Sequence, residues 1–147
     1  MRWKHHALWD AVYADDYPRV QRLLETPSGA ESVNVPHGVW SNTAVHVAVQ
    51  RGNRRILNIL VVFKGDVNAI NINGTTPLHI AVETRNHDLV QYLLECDAKP
   101  NKRNFTRKSP LELARVMMDK DMAKMLQEKH NLDMGRRSST ADLAAMS

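Results

Sequence analysis

One cysteine, Cys96, is all that this chain of 147 residues contains. It excludes an intramolecular disulfide, and without a CxxC pair or a Cys/His cluster the common zinc arrangements are excluded as well. Such a sequence suits a reducing compartment, and the expectation is a cytoplasmic protein that can also enter the nucleus. Aromatic residues are scarce at 5%, so the core is expected to be aliphatic. Long apolar runs are missing too: the longest, residues 59–63, is far too short to span a bilayer. The start, MRWKHHALWD, is positive but lacks the apolar stretch that a secretory signal needs. No GxGxxG or GxxxxGK[ST] phosphate cradle occurs, and no spacing sets a nucleophile beside a base or separates two carboxylates by environment. Neither an enzyme nor a cofactor or metal is therefore expected.

What is present is ordinary in amount. Hydrophobic residues at 43% and charged residues at 24% fit a single domain with its own core. A net charge of +4 leaves acidic partners and nucleic acid open without choosing between them.

The arrangement is less ordinary. The stretch TTPLHIAV, containing His79, has a counterpart 33 residues earlier in NTAVHVAV, containing His46. The same step sets Ala48 against Ala81 and Ala114, Leu60 against Leu93, and Asn68 against Asn101. It carries Thr76, Pro77 and Leu78 onto Ser109, Pro110 and Leu111. At an offset of 70, ALWDAVYADDYPRVQRLLE matches PLHIAVETRNHDLVQYLLE at Leu8, Ala11, Val12, Val20, Gln21, Leu23, Leu24 and Glu25. Four units result, at about 6–36, 37–69, 70–102 and 103–130. In each, two apolar patterns at helical spacing flank a polar break, as in Leu78, Ala81 and Val82 followed by Leu89, Val90, Leu93 and Leu94. Helices this short do not hold alone, so the stabilisation must come from packing between units. Gly52-Asn53 and Asn86 divide the paired helices, Gly65 and Asn73-Gly74 mark the reversals between units, and Asp15-Asp16 followed by Pro18 reads as a helix start.

A 33-residue period carrying T-P-L-H-x-A, a second helix and a DVNA-like turn resembles the ankyrin repeat. The resemblance covers residues 6 to about 130. It is nearest in the third unit; the second unit has Ala44 and Val45 in place of proline and leucine. The end units are degenerate, with Trp9 and Glu112 standing where the motif has histidine, so they are expected to lose that ring's hydrogen bonds. The resemblance implies an all-α solenoid of helix-turn-helix units with short β-hairpin connections, slightly curved, over residues 1–132. Hairpin tips and first helices would form the partner-binding face. The polar, small-residue-rich stretch 133–147 is expected to be disordered.

His46 and His79 invite a reading as metal ligands, but they occupy equivalent positions one repeat apart with no third ligand recurring beside them. The resemblance implies instead that the ring ties the start of the first helix to neighbouring backbone and to the threonine three residues earlier. His5-His6 reads as a solvated pair. Cys96, at the end of a second helix, reads as a small packed hydrophobe rather than a reactive thiol.

Residues that the repeat does not explain point to binding. One position of successive tips reads Val39, Ile72, Phe105, and the next reads Trp40, Asn73, Thr106. An apolar residue on three tips suggests an exposed stripe of the kind that anchors interfaces. Trp40 and Phe105 are expected to be exposed; Val39 and Ile72 fit exposure and folding under the hairpins equally. The partner surface is assigned to these residues with Asn42, Thr75, Arg107 and Lys108 at the tips. Gln50, Arg51, Glu83, Thr84 and Met117 add to it from the first helices. The stretch 99–108, KPNKRNFTRK, has five basic residues around Phe105, suited to an acidic or phosphorylated partner. The alternative is nucleic acid or anionic lipid bound through that basic tip, but the tip at 69–74 is uncharged. The expectation is a monomeric, non-enzymatic adaptor or small regulator. It is compact enough to resemble stand-alone ankyrin inhibitors of cyclin-dependent kinases or of Rel transcription factors. Two modification sites are suggested: Ser139 within Arg136-Arg137-Ser138-Ser139 resembles a basophilic kinase site. Asn68, after Leu60 and Asp66-Val67, resembles the asparagine hydroxylated in such repeats, though a side chain closing the turn accounts for it better and is compatible with it.

Overall fold

Helix pairs repeat along the chain because the same start and stop signals repeat. The computed structural model describes residues 3–145, and the side-chain surroundings of residues 6–136. First helices are α1 (Trp3–Tyr13), α4 (Ala44–Arg51), α6 (Pro77–Glu83) and α8 (Pro110–Val116); second helices are α2 (Tyr17–Leu24), α5 (Arg54–Val62), α7 (His87–Glu95) and α9 (Lys120–Ala145). A short α3 (Pro27–Glu31) lies in the first connection. No strand forms among the described residues, so the expected hairpins reduce to one bridge, between His37 and Asn42, and a pair of backbone bonds within each of the other tips. Each tip is too short for a ladder.

Each first helix is followed within one or two residues by one with left-handed backbone: Asp15, Gly52, Arg85 and Met118. The next residue turns the chain and caps the second helix. Asp16, Asn53, Asn86 and Asp119 accept the backbone N–H of Arg19, Ile56, Leu89 and Met122 at 3.0–3.2 Å. A short acceptor side chain here satisfies a helix N–H that has no partner within the helix.

First helices stack directly, α1 on α4 on α6 on α8, while second helices close over them. Leu8, Val12, Val45, Ala48, Leu78, Ala81, Leu111 and Ala114 fill the seam between first helices. Val20, Leu24, Ile56, Leu57, Leu60, Leu89, Leu93, Met122 and Leu126 pack on it from the second helices. The recurring alanines let first helices approach closely, and no helix buries its apolar face except against a neighbour.

Two departures lie near the ends. The loop after α2 carries α3, capped by Thr26 and opened by Pro27; Gly29 fits only because a Cβ would lie 1.8 Å from the Leu23 carbonyl oxygen. At the other end α9 does not stop near 130 but continues as helix through Ala145, across the stretch expected to be disordered. Extending a helix already nucleated by packing adds one hydrogen bond per residue without a new nucleation cost. No helix among the described residues is long and apolar enough to cross a membrane.

Candidate functional site

The tips between units form one continuous edge. Within each tip an i to i+3 bond closes the turn: Ser41 N–H to Gly38 O, Gly74 N–H to Asn71 O, and Arg107 N–H to Asn104 O, at 3.0–3.2 Å. Ser41, Gly74 and Arg107 all take left-handed backbone. Asn71 and Asn104 hold the last two tips from inside, each side-chain oxygen accepting two backbone N–H groups. Neither asparagine stood out in the sequence, although the spacing N-I-N-G-T and N-F-T-R-K was visible; the signal was an Asx turn, which is short and common.

Successive tips are bonded to each other. Ile72 N–H donates to Trp40 O at 2.9 Å, and Phe105 N–H donates to Asn73 O at 3.0 Å. Val39 is 81% exposed, Trp40 58%, Ile72 54% and Phe105 69%. All four side chains therefore stand in solvent along a backbone-bonded edge. The Phe105 ring leans over Gly74, where a Cβ would lie 2.7 Å from its edge. An alanine there would push the ring off the preceding tip.

The histidines fix the height of this edge. His46 and His79 are fully buried at the third position of their helices. The N–H groups of Thr43 and Thr76 donate to Nδ1 at 3.1 and 3.0 Å. Nε2 then carries the proton and donates to Thr75 O and Lys108 O at 2.9 and 2.8 Å. Those carbonyls belong to the next tip, so each ring joins a helix start to the edge of the following unit. Burial pushes both imidazoles below their ordinary range, against the opposing effect of the carbonyls they touch. In the fourth unit only the cap is kept: Ser109 and Glu112 form a capping box, with Ser109 N–H donating to Glu112 at 3.4 Å, while the second bond that a histidine makes to a following tip has no counterpart there. At Trp9 the loss is real, since its indole nitrogen is buried without a hydrogen-bond partner.

Other expected surface residues separate into two groups. Asn42 is corrected: it is only 8% exposed, its backbone bridges His37, and its side-chain oxygen accepts from Asn71 at 3.1 Å. It ties two tips together because its amide fits the small gap between them. Thr75 is half-buried, and both its N–H and its carbonyl are already bonded. Asn73, Arg107 and Lys108 are exposed at the tips, and Gln50, Arg51, Glu83 and Thr84 at the ends of first helices, with Met117 half-buried. Arg51 is bound to Asp15 at 3.1 Å, and partial desolvation pushes the Glu83 carboxyl up.

Charge is uneven along the edge. In the basic tip, Lys102 donates to Asn68 O at 3.0 Å and Arg103 pairs with Glu112 at 3.1 Å. Arg107 and Lys108 are exposed and form no close ion pair among the described residues, though Lys108 helps to hold the Glu112 carboxyl low. The edge is thus apolar along its length and positive at the Phe105 end.

Asn68 does more than close a turn. Its side chain donates to Asp97 O at 3.2 Å and accepts Lys99 N–H at 2.9 Å, bridging two units. Asn34 does the same toward Lys64 and Asp66. Burial pushes the Cys96 thiol up, as do Glu95 and Asp97, while the Tyr92 hydroxyl opposes them; little thiolate is available. Among the described residues no three His, Cys, Asp or Glu side chains gather to hold a metal ion. The Ser139 side chain lies outside the residues whose surroundings are described.

A family of sequences described as "Ankyrin repeats (3 copies)" matches residues 8–104. Among curated proteins, the chain is 39% identical over 71 residues to the 2-5A-dependent ribonuclease of Mus musculus. That likeness covers 48% of this chain but 9% of the relative. The matched span, the capping histidines and the stacked helix pairs agree, and the chain belongs to the ankyrin repeat family.

Proposed function

We propose that this protein is a non-enzymatic binding module whose tip edge, with the adjoining ends of the first helices, docks another protein. The observation that carries the reading is the row Val39, Trp40, Ile72 and Phe105. Four large apolar side chains are held in water along tips bonded backbone to backbone, although each could have been polar without cost to the core. The buried histidines and the Asx turns make this edge rigid, so little ordering cost is incurred on binding. A compact module of this kind would act as an adaptor or a small regulator that covers a surface of its partner. The ribonuclease activity in the relative's name belongs to a protein of which this chain matches 9%, and it is not assigned here.

The test is capture from a cell extract by the intact chain and by Trp40→Ala, Phe105→Ala and the double variant. Proteins captured by the intact chain should be lost from the double variant while its thermal midpoint stays nearly unchanged. A large fall in midpoint would place the two residues in the core, and an unchanged set of captured proteins would place binding elsewhere. Loss of binding that is steep in salt and indifferent to these alanines would favour nucleic acid or anionic lipid at the basic tip.

A further inference from the structure

We propose that Thr106, at the apex of the third tip, is the phosphate acceptor of a serine/threonine kinase that reads basic residues, and that its phosphate weakens docking at the positive end of the edge. The second half rests on the reading of the tips as a docking surface; the acceptor site does not.

Local sequence sets the site. Thr106 stands where the first two tips have Trp40 and Asn73, so a hydroxyl reaches this position only once. Arg103 lies three residues before it, Lys102 four before, and Arg107 directly after. Kinases select substrates by charge pattern, and a guanidinium at a fixed short distance from the acceptor is such a pattern. Among the serines and threonines whose side chains are described, no other has a basic residue three places before it.

Burial separates Thr106 from the other hydroxyls a second time. Thr43, Thr76, Ser109 and Ser32 are buried in caps and turns, and the hydroxyls of Thr26 and Thr84 donate to helix carbonyls. Thr106 is exposed, and its hydroxyl donates within its own turn, to Asn104 Oδ1 at 2.8 Å. An acceptor oxygen must come into line with the γ-phosphate, so this turn has to open around it. The second tip is bonded on both sides, through Ile72 N–H to Trp40 O and through Asn73 O to Phe105 N–H. The third is joined to the second through Phe105 N–H, and no tip follows it among the described residues. The N–H groups of Thr106 and Lys108, which the Asn104 side chain holds, are bonded at the exposed surface, where bonds open first in local unfolding.

The chemistry is a substitution at phosphorus. Thr106 Oγ bonds to the γ-phosphorus of ATP as the bond to the β-phosphate oxygen breaks; ADP leaves, and the hydroxyl proton passes to a carboxylate of the kinase. The product has no hydrogen to donate to Asn104, so the turn loses that bond. A phosphate of nearly two negative charges lowers the stretch 99–108 from +5 to about +3. Arg107 and Lys108, exposed and without a close ion pair, lie within two residues of it and turn to its oxygens. Carboxylates of a docked partner then lose the two cations that would meet them.

The test uses the full chain carrying Ser138→Ala, Ser139→Ala and Thr140→Ala, so that no acceptor follows Arg136-Arg137. It is incubated with ATP and either a kinase that requires arginine three residues before its acceptor or one that requires acidic residues after it. Phosphorylated positions are read by tandem mass spectrometry, with the free peptide 99–112 as the reference for an open loop. Thr106 should take phosphate from the first kinase and none from the second. Arg103→Ala should slow the reaction roughly tenfold, as loss of a charged hydrogen-bonding partner does. Asn104→Ala should speed it by loosening the turn. Circular dichroism melts verify that each variant is folded. No phosphate on Thr106 in the folded chain overturns the acceptor site, and labelling of the peptide alone assigns the cause to a closed turn. Equal labelling by the two kinases overturns the reading by charge. The phosphorylated chain should also capture less of the proteins that the Trp40→Ala, Phe105→Ala double variant loses. Undiminished capture overturns the control of docking and leaves the acceptor standing. If the double variant captures the same proteins as the intact chain, the docking reading falls, and the labelling of Thr106 does not depend on it.

Discussion

Acidification should unfold this stack through two buried imidazoles. His46 and His79 are fully buried, each accepting a backbone N–H at Nδ1 and donating from Nε2 to a carbonyl of the next tip. A proton added at Nδ1 would face the donors of Thr43 or Thr76 in a fully buried site. The folded-state pKa of both rings is accordingly depressed by burial; Lys102 adds to the effect at His79, and Asp66 opposes it at His46. In the unfolded chain the same rings protonate near 6.5. Below that pH the unfolded state binds more protons than the folded one, so stability is complete above about 6.5 and falls as the pH drops toward the folded values. Each ring contributes a slope approaching ~1.4 kcal/mol per pH unit, or ~2.7 for both. The loss accumulates from about pH 6.5 downward and stops growing once the pH falls below the depressed folded values. Asp97, Glu112 and Asp119 are held low by Lys129, by Ser109 and Arg103, and by His87 respectively. They lose their contribution at lower pH, whereas Glu83, pushed up by burial, works against the histidines in the acid part of the window because the folded chain takes up its proton first. The assay is urea unfolding followed by far-ultraviolet circular dichroism at half-unit pH steps, on the intact chain and on His79→Leu. At pH 7.5 the variant should be less stable by about 2–5 kcal/mol, because Thr76 N–H and Lys108 O each lose a buried partner. Its slope between pH 6.5 and 5 should be about half that of the intact chain. Identical slopes would refute the assignment of the titrating groups.

Asn68→Ala removes both bonds that bridge the second and third units and should lower stability by about 1–3 kcal/mol, read as a shift in urea midpoint. Gly74→Ala would place a Cβ 2.7 Å from the Phe105 ring at a φ of 71°; a cost of about 1–2 kcal/mol is expected, together with weaker capture of any ligand that touches Phe105. Met118→Gly should have the opposite sign, raising stability by about 0.5–1 kcal/mol, because an exposed residue held at a φ of 58° is replaced by one that adopts this backbone freely. A lower melting midpoint for that variant would show that Met118 makes contacts worth more than its strain.

Much of the fold was legible because a repeat writes each signal several times. Thr43 and Thr76 with their histidines, Asn53 and Asn86 before second helices, and the recurring alanines all lie in local sequence and act over one turn of chain. The candidate site was legible in part. Trp40 and Phe105 stood out as apolar residues at positions that the repeat does not use, and both are exposed. Asn42 lay in the same loop and looked equally available; only the approach of Asn71 from the next unit buries it. Asn71 and Asn104 passed unnoticed because an asparagine in a turn is ordinary until its side chain is seen to hold two backbone groups.

The sequence by itself determined the period, the helix pairs and their caps, and the aliphatic core, since these depend on spacing and on bonds within three or four residues. It could not determine that Val39 and Ile72 stand in water, that Glu112 closes the cap that a histidine closes elsewhere, or that α9 runs on to Ala145. Those outcomes depend on what the neighbouring unit presents across the seam. Tertiary structure decided the edge as a whole: the bond from Ile72 to Trp40 and the bonds from His46 and His79 to the next tip join residues about 30 apart in sequence. Stacking aligns side chains that local sequence leaves independent, and that alignment makes four scattered apolar residues into one surface.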